Sequence, residues 1–491
     1  MASLNALRVE AETWLEEVGR ARSSAAPGVP DLAPVDAAHR EVVSPETARA
    51  VAALLASRRA PEQELPRLRL LVRFLEDASL EAVSRRARQS LETSWWRSAP
   101  ESGLEVSLAE AEAALAWTEE RSARLQREAA VDRGWESLLP AAQRIQAALA
   151  EGASALGAAS TPGLLDARRE RDWPVLDTEA FLRATADAYR DVLGWAVGKV
   201  APRLGPLPRG DATLADLDRV RALPGSGGAL EDAVDSLRTW IGRLPDAEER
   251  ARHLRPRTVP VPAAQVIPVE VPEEIALLVP EGRGAAEAPA RFFWTGCALH
   301  LGSIEPDAPV EHRWMGDPAV MVSSGWLVRA LLWHERWLNG ALRLGKAAAR
   351  EVARMEALAA LGTLRAEAAL RPHLRTMLES GVTLERLAEA AEALTAALHV
   401  RVGRGRALGM VAELDGGEHR LRGAALASCL WAEADWRFDA DEFRNPSAAR
   451  WLVSLWSRGA PEAPEQMVPA LCGRPLGLEG LGAELVAVLG A

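Results

Sequence analysis

Apolar residues recur at three- and four-residue spacing over most of residues 35–250, as in LPRLRLLVRFLEDASLEAVSRRARQSLETSWW (65–96), SLAEAEAALAWTEERSARLQREAA (107–130) and TEAFLRATADAYRDVLGWAVGKV (178–200). That period places one apolar stripe on a helix face and predicts a succession of packed helices. The N-terminal MASLNALRVEAETWLEEVGRARSS has the same spacing. Breaks are expected at AAPGVPDLAP, GASALGAASTPG, GPLPRGD and LPGSGG, whose Gly, Pro and Asp residues end helices or make turns. Ser107 and Asp177 each precede a helical run and suit an N-cap. Near residue 255 the pattern changes: RPRTVPVPAAQVIPVEVPEEIALLVPEGRG is dense in Val, Ile and Pro, which disfavours helix and suits short strands at about 255–285. Helical spacing returns from about Arg291 and continues to the C-terminus, with turns expected near GSIEPDAP, GRGRALG and LDGGEH. No fixed-period repeat marks a solenoid.

Composition narrows the function classes. The chain has 491 residues, 48% hydrophobic and 26% charged, enough for two or three domains or one large helical body. It contains no apolar run long enough for a membrane span and no basic region followed by an apolar block at its start, so neither a span nor a signal peptide is expected. Cys297, Cys429 and Cys472 are few, odd in number and far apart, which suits a reducing cytoplasm better than a secreted disulfide framework. A net charge of −11 opposes nucleic-acid binding.

The segment RFFWTGCALHLG follows the strand-like stretch. Read as FWTGCALH from Phe293 to His300, it resembles the active-site helix HExGHxxH of the thimet oligopeptidase and oligoendopeptidase F type of zinc metallopeptidases, with Gly296, Ala298, Leu299 and His300 fitting the motif. GDPAVMV (316–322) resembles the stretch GDxxVTE that carries the third zinc ligand; SCLWAEAD (428–435) resembles SYKWAE, and LCGRPLGLEGLGAELV (471–486) resembles the LGRxP ending. Upstream, VIPVEVPEEIALLVPEGRG and FLRATADAYRDVLGWAV extend the likeness to roughly residues 60–490.

The resemblance also locates losses. Two histidines at i and i+4 share a zinc ion from one helix face, and the glutamate beside the first takes a proton from metal-bound water. Phe293, Trp294 and Cys297 stand at those three positions, and Val322 stands at the third ligand. Phenylalanine does not ligate zinc, tryptophan is no general base, and a single thiolate falls short of the three or four protein ligands of a zinc site. The tyrosines that donate to the oxyanion in the family align with Arg422, Leu426, Ala427 and Cys429, and the one tyrosine of the chain, Tyr189, lies elsewhere.

Other constellations read more simply. A lone histidine on an apolar helix face, such as His300, is more often a core residue than a ligand. WHERW (333–337) has Leu338 where a second ligand would fall, RGD at Arg209 is accidental, and GSGG at Gly225 lacks the Lys-Ser/Thr of a phosphate loop. His419 with Glu418 suits a solvated loop or a group orienting a peptide carbonyl, and Trp326 and Trp337 fit either core or groove.

The expected fold is mainly α: an N-terminal helical half (1–250) and a peptidase-like C-terminal half (251–491) facing each other across a deep channel, as the resemblance implies. The expected function is that of a catalytically inactive peptidase-like protein without zinc or another cofactor. It would bind a peptide or a protein partner, an active homologue among the candidates, with His300, His419 and Arg422 as the channel residues. An enzyme of another class reusing the channel, with Cys297 among its reactive groups, and a zinc peptidase with its site elsewhere are the rivals; neither has a recognisable catalytic pair in the sequence.

Overall fold

The computed structural model describes all residues except 1–3, 26–28, 58, 98–102, 173–175, 205–211, 223–232, 260–264, 281–287, 413–417, 439–443 and 491. The GPLPRGD and LPGSGG breaks, with the RGD and GSGG readings, lie outside the described residues. The architecture is mainly α-helical with one small three-stranded sheet. No helix among the described residues is long and apolar enough to cross a membrane.

The strongest periodicities become the longest early helices. Leu65–Trp96 is one helix burying Leu68, Leu71, Val72 and Leu75, and the run from Thr178 extends to Leu204. Ser107 caps as expected: its Oγ accepts the Glu110 amide at 3.2 Å while its own amide donates to Glu110 Oε2 at 3.0 Å, a reciprocal capping box. Asp177 Oδ1 accepts the Ala180 amide at 2.8 Å. Two local readings differ from the sequence-based expectation. The 107–130 run splits into Leu108–Leu115 and Arg121–Ser137, because Glu120 takes an extended conformation and accepts the Ala123 amide at 3.2 Å, starting a new helix. GRGRALG is mostly helix (Arg404–Val411) instead of a turn. Its glycines serve a close approach: Asp132 Oδ1 accepts the Arg406 amide at 2.9 Å, and a Cβ at Gly405 would lie 1.9 Å from Asp132 O.

The Val/Ile/Pro stretch forms β1 (Leu254–Val259), β2 (Gln265–Glu270) and β3 (Glu274–Pro280), in spatial order β1-β3-β2. β1 runs parallel to β3 with Leu254 opposite Ile275, and β2 runs antiparallel with Gln265 opposite Leu278. One face buries Ile267, Val269, Ala276 and Leu278; Val271 and Ile275 pack with Ala298, Leu301 and Ile304, which sets the Ala288–Leu301 helix against the sheet. The first helix, Leu4–Ala25, crosses β2 so closely that a Cβ at Gly19 would sit 2.2 Å from Pro268 O. Arg8 and Arg67 fix this region to the second part of the chain through the fully buried Glu311, with Nε–Oε1 2.5 Å and Nη2–Oε2 2.9 Å. One apolar cluster extends from Leu80 to Leu489, so residues on both sides of position 250 share a core.

Gly19→Ala is expected to destabilise the protein by about 1–3 kcal/mol, the cost of forcing a methyl group into packed backbone. Gly194→Ala, in a helix with nothing within 4 Å of the added Cβ, is expected to be neutral or stabilising by up to about 1 kcal/mol. Thermal melts of the two variants beside the parent check the contrast.

Candidate functional site

The motif-bearing segments are two helices, Ala288–Leu301 and Pro318–Ala330, that cross at their glycines. A Cβ on Gly296 would lie 2.3 Å from Ser324 O. One on Gly325 would lie 2.7 Å from Cys297 Sγ and 2.9 Å from Phe293 Cδ2. Positions 293 and 297 therefore face the second helix side by side, one helical turn apart. The Phe293 ring meets the Trp294 ring at 5.1 Å and 85° and the Trp326 ring at 5.8 Å and 80°, edge-to-face arrangements that add to the apolar burial. Cys297 is wholly buried, and burial pushes its thiol well above the ordinary range, so it is held protonated. Val322 stands one turn before Gly325 and packs on the Glu418–Phe438 helix, where a Cβ on Gly423 would meet Val322 Cγ1 at 2.5 Å.

These residues do not fit a zinc ion. Phe293 and Val322 have no lone pair to offer, Trp294 carries no carboxylate, and Cys297 alone falls short of the three or four protein ligands of a zinc site. Among the described residues, no group of three or more His, Cys, Asp or Glu side chains is placed to hold a metal ion.

The other candidate residues separate. His300, one turn beyond Gly296, is 2% exposed, and its Nδ1 lies 3.4 Å from Ser324 Oγ. Burial lowers its pKa to about 4, so it is neutral at pH 7. Arg422 contacts the N-terminal end of the Pro318–Ala330 helix. Its Nη1 and Nη2 donate to Asp317 Oδ1 and Oδ2 at 3.1 and 2.7 Å, and its Nε and Nη2 donate to Glu465 Oε1 and Oε2 at 2.7 and 2.6 Å. Asp317 also caps that helix by accepting the Ala319 amide at 2.9 Å, and it pairs with Arg73 Nη1 at 3.2 Å. Burial would raise the Asp317 carboxyl, but Arg73 and Arg422 outweigh burial and hold it below the ordinary range. Ser324 and Asp317 are about two helical turns apart, roughly 10 Å along the axis. His300 and Arg422 thus contact the middle and the N-terminal end of one helix. His419 is half-buried at the start of the Glu418–Phe438 helix, beside Glu418, which pairs with Arg371. Trp326 and Trp337 are both buried.

Sequence reasoning missed Glu356. It lies in the Lys346–Ser380 helix, 7% exposed, with Oε2 unpartnered; burial raises its pKa to about 7 against the opposing pull of Arg329. Arg329 in turn lies over the Trp326 ring at 4.8 Å. The glutamate sits in an AREVARMEALAAL helix where nothing local distinguishes it from a solvated charge.

No protein-family model matches the sequence. No curated protein matches it either. Solved structures do share its fold. The crystal structure of BsuCP aligns with TM-score 0.60 at 13% identity, covering 99% of this chain and 98% of that one. A Pyrococcus furiosus carboxypeptidase aligns with TM-score 0.59 at 12% identity over 100% and 99% of the two chains. A Bacillus anthracis protein assigned as an oligoendopeptidase F aligns with TM-score 0.62 at 12% identity, over 92% of this chain and 83% of its own. The likeness is one of fold, and it reaches carboxypeptidase structures as well as the oligoendopeptidase type that the motif resembles.

Two outcomes follow from the buried charges. Arg422→Ala is expected to cost about 3–5 kcal/mol, since it leaves the buried Asp317 and Glu465 carboxylates short of their shared cation; urea unfolding at pH 7 measures it. Glu356 is protonated in the folded chain up to about pH 7, while its unfolded carboxyl ionises near 4.5. The native state then binds the extra proton between these values, so this group makes stability fall as pH rises from about 4.5 to 7 and adds no further change above. Glu356→Gln is expected to remove that slope, on the order of 3 kcal/mol between pH 5 and pH 8, read as the difference in unfolding midpoint at the two pH values.

Proposed function

We propose that this protein is a catalytically silent form of the oligopeptidase-like fold that serves as a peptide-binding or regulatory subunit. The observation that carries the reading is the Gly296–Gly325 crossing, where the positions aligned with two zinc-binding histidines hold Phe293 and Cys297 packed against the opposing helix. Metal-site positions filled by apolar side chains gain burial free energy, roughly 1.5–3 kcal/mol for a side chain the size of Phe. Folding no longer draws on metal binding at this site. The chemistry is removed together with the ligands: no group at 294 accepts a proton from water, and Tyr189, 0% exposed beside His399 and Arg365, is no oxyanion donor for this helix pair.

Peptide or partner binding is the part of the reading that rests on the scaffold alone. In this reading two helical halves, 1–250 and 251–491, border a channel that admits an extended peptide. Candidate lining residues are His419 and the half-buried rings of Phe293 and Trp294. Arg422 and His300 act from beneath: one fixes Asp317 at the N-terminus of the Pro318–Ala330 helix, the other packs behind Ser324.

Purified protein is expected to hold no stoichiometric zinc, to keep its melting temperature in chelator, and to leave a quenched fluorogenic peptide intact. The quadruple variant Phe293→His, Trp294→Glu, Cys297→His, Val322→Glu is expected to bind zinc yet hydrolyse poorly, because the loss of one oxyanion donor alone costs about a hundredfold or more in rate. Metal titration and the peptide assay decide both parts. Chelator-sensitive hydrolysis by the parent protein overturns the reading, and a folded variant that binds no zinc overturns the alignment of this helix.

A further inference from the structure

Cys429 and Cys472, 43 residues apart in sequence, meet in space. Cys429 lies in the Glu418–Phe438 helix, and Cys472 ends the Pro464–Cys472 helix that packs along it. The Cys472 Sγ is 3.7 Å from the Cys429 carbonyl oxygen, and Arg474 Nη2 is 3.7 Å from Cys429 Sγ. The two thiols are close enough for each to perturb the other's ionisation. Their exposures differ usefully: Cys429 is 5% exposed, while Cys472 is only half-buried. A reachable thiol above a covered one is the arrangement of an attacking and a resolving cysteine. Cys297 has no such neighbour in the sequence or at its glycine crossing.

We propose that Cys429 and Cys472 are a reversible dithiol–disulfide pair that, when oxidised, staples the 464–472 helix to the 418–438 helix. The oxidant is a small-molecule disulfide of the glutathione class. The Cys472 thiolate attacks one sulfur of that disulfide; the sulfur–sulfur bond breaks, and one glutathione thiolate leaves and takes up a proton. Cys429, as thiolate, then attacks Cys472 Sγ in the mixed disulfide and expels the second glutathione thiolate. Two protein thiols are oxidised and one glutathione disulfide is reduced to two thiols, so electrons and protons balance. The staple joins the helix that carries Glu465 to the helix that carries Arg422, so it reinforces the seam already held by their ion pair.

The surroundings set the rate. Burial, Cys429 and the Glu433 carboxylate push the Cys472 thiol up to about 11, with Arg474 and Arg437 opposing. Burial also raises Cys429, with Arg474 and the Cys472 thiol opposing and Glu484 adding to the rise. The thiolate fraction of Cys472 therefore grows about tenfold for each pH unit below its pKa. The pair is a slow, pH-dependent staple, not a fast peroxide sensor.

The test incubates the folded full-length protein with excess oxidised glutathione, quenches with acid, alkylates remaining thiols in denaturant and maps the digest by mass spectrometry. The expected product is a Cys429–Cys472 cross-linked peptide pair with Cys297 alkylated, reversed by dithiothreitol. Its initial rate should rise on the order of a hundredfold from pH 7 to pH 9, and the oxidised protein should melt several degrees higher. Cys429→Ser should halt at a glutathione adduct on Cys472, and Cys472→Ser should give no cross-link. Circular dichroism reports whether each variant folds, while the wild-type map stands without them. Three alkylated thiols after prolonged exposure at pH 9, or glutathione adducts on both cysteines without the cross-link, overturns the proposal.

Discussion

The approach of two helix backbones at Gly296 and Gly325 constrains the rest of the site. With Ser324 O and Gly325 Cα lying 2.3 and 2.9 Å from where a Cβ of Gly296 would be, the Ala288–Leu301 and Pro318–Ala330 helices leave no room for any side chain at the crossing. What flanks it must fill the remaining space: Phe293 and Cys297 on one side, and Val322 against Gly423 of the Glu418–Phe438 helix on the next. Core interiors pack at crystal-like density, so such a crossing is stable only with side chains of matching volume. Apolar residues meet that demand without a metal, whereas charged or neutral polar ligands at the same positions would need one to satisfy them.

The second constraint is the N-terminus of the Pro318–Ala330 helix. Asp317 is fully buried, and a buried carboxylate persists only with cations and amide donors around it. Arg73, Arg422 and the Ala319 amide supply these, and Glu465 shares Arg422. Four stretches of chain far apart in sequence thus converge on one helix end, and Glu311 gathers Arg8 and Arg67 in the same manner. The two networks tie Arg8, Arg67 and Arg73 of the early helices to Glu311 and Asp317, just ahead of the Pro318–Ala330 helix. Arg422 is thus part of the network that holds this helix end.

How much of this was legible in the sequence depended on whether the determining contact was local. The Leu65–Trp96 helix and the Ser107 capping box are written in a few consecutive residues, and both form as the spacing predicts. The helical character of FWTGCALH and the short strands of 255–285 were legible for the same reason, although residues 260–264 and 281–287 lie outside the described part. GRGRALG misled because its glycines answer to Asp132, about 270 residues earlier, and not to a local turn. The partners of His300 and Arg422 were not legible, because Ser324, in the middle of the Pro318–Ala330 helix, and Asp317, at its N-terminus, lie 24 and 105 residues away from them in sequence. The raised Glu356 and the Cys429–Cys472 pair were invisible for the same physical reason, since burial and long-range proximity have no signature in a window of residues.

The fold is shared with carboxypeptidase and oligoendopeptidase-type structures at 12–13% identity, while at the motif positions Cys297 and Val322 are buried and Phe293 and Trp294 are half-buried. The most direct measurement is anomalous X-ray scattering at the zinc edge from crystals grown in excess zinc. The account predicts no peak between the Ala288–Leu301 and Pro318–Ala330 helices. A peak about 2.3 Å from Cys297 Sγ, the length of a zinc–thiolate bond, would contradict it.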